Sequence, residues 1–82
     1  MKKQLLLISA RYCPFCVKVE QFLQQNQIVI PTVHLEDKPH YREELLLKGG
    51  LSQVPCLKID DNYLYESEDI IQWVKTNNKS HD

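Results

Sequence analysis

The chain has 82 residues, a net charge of −1 and an ordinary globular composition, with 43% hydrophobic and 26% charged residues. This length fits one domain, and the composition excludes disordered, collagen-like and coiled-coil proteins. The ten basic residues are spread thinly, so neither nucleic acid nor a membrane surface is an expected partner. No apolar run reaches the roughly twenty residues of a transmembrane helix, and no signal-peptide cleavage site follows the N-terminal run. We therefore expect a cytoplasmic protein.

The first third of the chain predicts a strand, a helix and a second strand. Residues 5–8 form a continuous apolar run of strand length, which suits a strand covered on both faces. Pro14 is typical of a first helical position, and apolar side chains recur at helical spacing over 14–26. The β-branched residues within 28–35 predict a strand that begins after Pro31.

A second helix is predicted to follow. Asp37 is its expected N-cap, Pro39 opens it, and Lys48 lies in its last turn. The pair Gly49-Gly50 then ends it with a left-handed glycine cap.

The last third predicts a hairpin and a final helix. Residues 56–59 and 63–65 are strand-like and flank a turn. Ser67 is the expected N-cap of the last helix, and two acidic residues follow it in the first turn. Residues 1–77 are expected to form the single domain, with 78–82 as a polar, frayed tail.

These elements follow one another as β-α-β-α-β-β-α. The first βαβ unit must be parallel and right-handed, and the closing hairpin must be antiparallel to it. The expected fold class is α/β with a thioredoxin-like layout, in which one four-stranded mixed sheet carries helices on both faces.

Three cysteines, Cys13, Cys16 and Cys56, are an odd number in a short chain without a secretory signal. This argues against a disulfide scaffold and for reactive thiols or metal ligands. A zinc site would need two further ligands, yet neither Cys56 nor any histidine forms a second spaced pair. No metal is therefore expected.

The motif Cys13-Pro14-Phe15-Cys16 falls where the first strand passes into a helix. At a helix N-terminus, free backbone N–H groups and the helix dipole favour a thiolate over a thiol, and the thiolate is the nucleophile. Cys13 at the N-cap is therefore predicted to attack, and Cys16, one turn further, to resolve the mixed disulfide. Arg11 is a possible further source of positive potential.

Three motifs in order resemble the glutaredoxin family: Cys13-Pro14-Phe15-Cys16, Gln53-Val54-Pro55 and Tyr65-Glu66-Ser67-Glu68-Asp69-Ile70. The last also resembles the N-terminal domain of glutathione S-transferases. The resemblance implies a thiol–disulfide oxidoreductase that uses glutathione as co-substrate.

The resemblance also implies a glutathione site. Pro55 would form a cis peptide bond with Val54, whose backbone would pair with the cysteinyl part of glutathione. Ser67 and the backbone of Glu68 would receive the γ-glutamyl carboxylate, and Glu66 or Glu68 would meet the ammonium group. The implied partners are glutathione and disulfide-bonded or glutathionylated proteins, and the expected state is a monomer.

Two alternatives stay open. In one, two chains and two glutathiones hold a [2Fe–2S] cluster through Cys13. In the other, the chain is a partner-binding domain of transferase type with little activity of its own.

The remaining candidate residues have plainer interpretations. Phe22 and Trp73 are expected in the core, and so is Cys56, with a regulatory or resolving thiol as the alternative for Cys56. Tyr12 and Phe15 either line a groove or are simply exposed. The histidines are expected to be solvated, and these are His34, His40 and His81.

Overall fold

The computed structural model describes residues 3–78, and the elements follow the predicted order. They are β1 (Leu5–Ser9), α1 (Pro14–Gln25), β2 (Thr32–His34), α2 (His40–Glu44) with a π-helical continuation (Leu45–Gly49), β3 (Cys56–Ile59), β4 (Asn62–Tyr65) and α3 (Ser67–Asn78). The polar tail predicted for 78–82 lies, from residue 79 onward, outside the described residues.

The four strands form one mixed sheet in the order β2-β1-β3-β4. β1 runs parallel to β2 and antiparallel to β3, and β3 pairs antiparallel with β4. The parallel pair follows from the crossover through α1, and the antiparallel pair from the tight β3–β4 turn. The thioredoxin-like fold class is confirmed.

Successive residues of the central strands face opposite sides of the sheet and divide the core in two. Leu7 belongs to a cluster with Val19 and Leu23 of α1 and with Ile70 of α3. Ile8 belongs to a second cluster. The partners of Ile8 in that cluster are Leu35, Leu45 and Cys56. Helices therefore cover both faces, as the continuous apolar run of β1 predicted.

The second helix differs from its prediction at its start. Pro39 is the N-cap of α2, and Asp37 is not. The Asp37 carboxylate instead accepts a hydrogen bond from Arg11 Nη2 at 2.5 Å. The Asp37 side chain therefore forms a long-range ion pair with Arg11 instead of the helix cap that local spacing predicted.

The same helix ends as predicted on its glycines. Gly50 adopts a left-handed φ of 91°, which favours glycine. A Cβ on Gly49 would lie 2.0 Å from the hydroxyl oxygen of Tyr65, so this position admits no side chain without displacing that ring. The last turn is π-helical, which the sequence pattern did not predict.

The final helix begins one residue earlier than predicted. Ser67 is the first helical residue, and the Glu66 carbonyl accepts the first intrahelical bond, from the Ile70 N–H at 3.0 Å. Glu66 therefore holds the N-cap position and has a φ of 74°.

Among residues 3–78, no helix has both the length and the apolar character that crossing a membrane requires.

Candidate active site

The turn from β1 into α1 holds the two closely spaced cysteines. Cys13 is the N-cap of α1, with extended φ and ψ of −97° and 117°, and Pro14 takes the first helical position. The Cys13 carbonyl accepts the Val17 N–H at 2.9 Å. Cys13 is half-buried, whereas Cys16 is fully buried. The sulfur nearer the surface is therefore the one at the helix end.

Burial sets the ionisation of Cys16. Loss of solvent is the main cause that raises its pKa, to about 11, and the neighbouring Cys13 raises it further. The Ser9 side chain and the Ala10 backbone lower the pKa by hydrogen bonding. Cys16 is therefore a thiol at neutral pH.

The second motif lies against the first. The Val54–Pro55 peptide bond is cis, as the resemblance predicted. The Cys13 Sγ lies 3.9 Å from the Val54 carbonyl oxygen, to which it donates. Pro55 is buried beside this contact. The structure thus brings together two motifs about forty residues apart.

The third motif is joined to the second through Gln53. The Gln53 Nε2 donates to Glu66 Oε2 at 3.5 Å. Ser67, which follows Glu66 at the start of α3, is only 6% exposed. The N-terminal end of α3 is therefore linked to the loop that carries the cis-proline.

Glu68 already has a cationic partner. Its carboxylate forms an ion pair with the Lys18 ammonium, which connects α3 to α1. Both side chains are largely exposed. The sequence patterns of the two helices gave no sign of this pair.

A second loop braces the segment before Cys13. The Arg11 N–H lies 3.2 Å from both carboxylate oxygens of Glu36, and the Arg11 guanidinium pairs with Asp37. Arg11 chiefly lowers the pKa of the Asp37 carboxyl, and Asp37 in turn raises the pKa of Arg11. The charge of Arg11 is therefore matched by Asp37.

A polar group that the sequence analysis missed lies behind the cysteines. Ser9 is fully buried, and its hydroxyl donates to Glu20 Oε2 at 2.5 Å. Glu20 Oε2 also lies 3.2 Å from His34 Nε2. The expectation that His34 is solvated was therefore wrong, because the strand register places it beside Ser9. The spacing of Glu20 four residues after Cys16 was the available signal.

The remaining predicted side chains are distributed as follows. Cys56 is fully buried, and burial chiefly raises its pKa to about 12. Phe22 and Trp73 pack against the core cluster of α1 and α3. Tyr12 and Phe15 are 89% and 62% exposed. His40 is exposed and contacts the Tyr41 ring, and His81 lies outside the described residues.

The described residues also bear on metal binding. Within the described range, 3–78, no three His, Cys, Asp or Glu side chains converge as a metal site requires. Only Cys13 of the three thiols reaches the surface. A cluster held through Cys13 would therefore need ligands from outside this chain.

Two curated relatives are similar to this chain. A glutaredoxin from Pseudomonas aeruginosa is 26% identical over 65 residues, which are 79% of this chain and 77% of the relative. An uncharacterized glutaredoxin-like 8.6 kDa protein of the rubredoxin operon of Clostridium pasteurianum is 31% identical over 58 residues, or 71% of this chain and 77% of the relative.

A family model and two solved structures extend the comparison. The model described as glutathione S-transferase, N-terminal domain, matches residues 7–80. A diazinon-metabolizing glutathione S-transferase of the silkworm Bombyx mori superposes with a TM-score of 0.77 at 19% identity, over 95% of this chain and 40% of that protein. A buckwheat glutaredoxin in complex with glutathione gives 0.72 at 21% identity, over 90% of this chain and 70% of that protein.

The chain is thus a thioredoxin-like protein of the glutaredoxin family, and it also belongs to the family of glutathione S-transferase N-terminal domains.

Proposed function

We propose that this protein is a cytoplasmic, glutathione-dependent thiol–disulfide oxidoreductase that reduces disulfides and glutathione mixed disulfides through Cys13 and Cys16. The observation that carries the proposal is the half-buried Cys13 at a helix N-terminus, with the buried Cys16 one turn further. Similarity to glutaredoxins, one of them in complex with glutathione, supports it.

Cys13 performs the first step in this proposal. Its thiolate attacks one sulfur of the substrate disulfide, the substrate S–S bond breaks, and the other substrate sulfur leaves as a thiolate. The product is a mixed disulfide on Cys13. The free N–H groups and dipole of α1 stabilise the attacking thiolate.

Cys16 or a glutathione thiol performs the second step. Attack by Cys16 on the Cys13 sulfur gives the Cys13–Cys16 disulfide and releases the bound thiol. Attack by glutathione on a glutathionylated Cys13 gives oxidised glutathione and returns the thiol of Cys13. Glutathione regenerates the dithiol by the same exchange.

Glutathione is proposed to bind along the three linked motifs. The Val54 backbone beside Cys13 would pair with its cysteinyl part, against Pro55. Its γ-glutamyl carboxylate would meet Ser67 and the backbone N–H of Glu68, because a helix N-terminus attracts anions.

The ammonium group of glutathione has two candidate carboxylates. Glu68 is already paired with the cationic Lys18, whereas the contact of Glu66 among the described residues, 3–78, is with the neutral amide of Gln53, at 3.5 Å. An ammonium gains more from a carboxylate whose charge is not already matched. We therefore assign the ammonium to Glu66.

Variants of the two thiols test the function. Cys13→Ser should lower glutathione-linked reduction of a small disulfide at least about 100-fold, because it removes the nucleophile. Cys16→Ser should keep activity on a glutathionylated peptide, since glutathione itself can resolve that adduct. Cys56→Ala, in the core, is the matched control and should keep both activities.

Two results would contradict the proposal. Equal loss of activity in both variants on the glutathionylated peptide would indicate a strictly dithiol mechanism without glutathione. Freshly purified protein that is brown, with cluster absorbance lost in Cys13→Ser, would favour the [2Fe–2S] alternative.

A further inference from the structure

The buried thiol of Cys16 needs a proton acceptor before it can attack. Cys16 is 0% exposed, and its pKa is raised to about 11, chiefly by burial. At pH 7 such a thiol is ionised in roughly one molecule in 10,000. Only the thiolate attacks a disulfide. A proton acceptor inside the protein would allow Cys16 to form the thiolate at neutral pH.

A line of polar side chains leads from Cys16 towards solvent. The Ser9 side chain interacts with the Cys16 thiol and lowers its pKa, and the Ser9 hydroxyl donates to Glu20 Oε2 at 2.5 Å. The two Glu20 carboxylate oxygens lie 3.2 and 3.4 Å from His34 Nε2. Ser9 is 0% exposed, whereas the side chains of His34 and Glu20 are 23% and 34% exposed.

Three elements of the fold hold this line of side chains in place. Glu20 follows Cys16 by four residues on α1, so both side chains lie on one face of the helix. Ser9 and His34 are register partners in the parallel pair of β1 and β2. Within residues 3–78, Glu20 therefore faces Ser9 from β1, His34 from β2 and, through Ser9, Cys16 of its own helix.

We propose that Ser9, Glu20 and His34 form the path by which Cys16 loses its proton during resolution, an inference that rests on the thiol–disulfide function proposed above. Ser9 Oγ receives the Cys16 proton while the Ser9 hydroxyl proton passes to the Glu20 carboxylate. Ser9 then donates to the new thiolate. Glu20 passes the extra proton to His34 or to solvent.

The bonds, electrons and protons of the resolving step are all accounted for by these groups, the mixed disulfide and solvent. The electron pair of the Cys16 thiolate forms a bond to Cys13 Sγ, and the bond from Cys13 to the substrate sulfur breaks. Over the attack and resolution steps together, the cysteine pair is oxidised by two electrons and the substrate disulfide is reduced by two electrons to two thiols. The substrate sulfur leaves as a thiolate and takes a proton from solvent. In the reverse direction, Glu20 returns a proton to Cys16.

One equivalent of the aromatic disulfide dithiobis(nitrobenzoate) separates the two steps. Attack by Cys13 releases one coloured nitrothiobenzoate, and attack by Cys16 on the resulting adduct releases a second. Stopped-flow absorbance records both releases in the full-length protein. The first release tests the proposed nucleophile, and the second tests the proton path. A wild-type protein without the first release would contradict the proposed function itself.

Glu20→Gln and Ser9→Ala should each slow the second release about 10- to 100-fold near pH 7, because general base assistance contributes about that much or more. The first release should keep its rate within about twofold. The difference in the rate of the second release between each variant and the wild type should become smaller from about pH 6 to about pH 9. Hydroxide increasingly removes the Cys16 proton directly over this range.

Two further variants separate proton transfer from a structural role. Glu20→Asp keeps a carboxylate and should restore part of the second release. Glu43→Gln removes an exposed carboxylate of α2 and should change neither release. An unchanged second release in Glu20→Gln would overturn the proposal. Equal slowing of both releases at every pH would also overturn it, because packing damage has no pH dependence of this kind.

Discussion

The three thiols of this small domain lie in three different environments. Cys13 is half-buried at the start of a helix, Cys16 is buried one turn behind it, and Cys56 is buried in the core on the other face of the sheet. Burial raises the pKa of Cys16 to about 11 and that of Cys56 to about 12. From their positions in the fold, we therefore expect Cys13 to be the most reactive of the three thiols.

This order predicts a selective alkylation pattern. Near pH 7, iodoacetamide should modify Cys13 and leave Cys16 and Cys56 intact, because the latter two thiols are buried and their raised pKa values keep them protonated. In Cys13→Ser, the alkylation rate of Cys16 should rise about tenfold for each pH unit until about pH 11, because a raised pKa keeps the thiol protonated below that value. Mass spectrometry of timed samples measures both the sites that are alkylated in the wild type and the alkylation rate of Cys16 in the variant. Cys16 modified as fast as Cys13 at neutral pH would contradict the assignment.

At the scale of elements, the start of α3 combines strain with a proposed binding role. Glu66 has a φ of 74°, a conformation that costs a side-chain-bearing residue about 1–2 kcal/mol. Glycine at this position would relieve the strain but would gain freedom in the unfolded chain. The two effects largely offset each other.

Glu66→Gly should therefore raise the free energy of unfolding by about 0–1 kcal/mol while it weakens glutathione use. The KM for glutathione should rise, since the carboxylate assigned to its ammonium is lost. Urea unfolding and steady-state kinetics measure the two effects. Gln27→Gly is the matched control, because Gln27 has a φ of 57° after α1 and should change stability alone. An unchanged KM in Glu66→Gly would refute the assignment of Glu66.

For the molecule as a whole, the proposed function requires a reduced form and an oxidised form, which differ in the bonding of the Cys13 sulfur. In the proposed mechanism, the helix N-terminus would favour the reduced form of Cys13 and so make a Cys13–Cys16 disulfide easier to reduce than a buried structural one. The second sulfur, that of Cys16, is enclosed in the core when both cysteines are free.

The Cys13–Cys16 pair should therefore have a reduction potential of about −200 to −230 mV, the range of glutaredoxins. Equilibration with glutathione buffers, followed by alkylation of the remaining thiols, measures it. Cys56→Ala should leave the value unchanged. A potential below about −300 mV would indicate a structural disulfide instead.

Local sequence patterns predicted the order of the helices and strands and the position of the two cysteines at the start of α1. Some signals depend only on neighbouring residues, and spacing alone was enough to find them. These are Pro14 after Cys13, the glycine pair after α2 and the apolar run of β1. The cis Val54–Pro55 bond was predicted from the family's motif and was confirmed.

The contacts between polar side chains could be seen only in the folded molecule. Asp37 pairs with Arg11 instead of capping α2, Lys18 reaches Glu68 on another helix, and His34 joins Glu20 and the buried Ser9. Each of these contacts joins residues that are far apart in the sequence and lie in different elements or loops. Their geometry depends on strand register and helix packing, which local periodicity does not encode, because a hydrogen bond needs placement to within a fraction of an ångström.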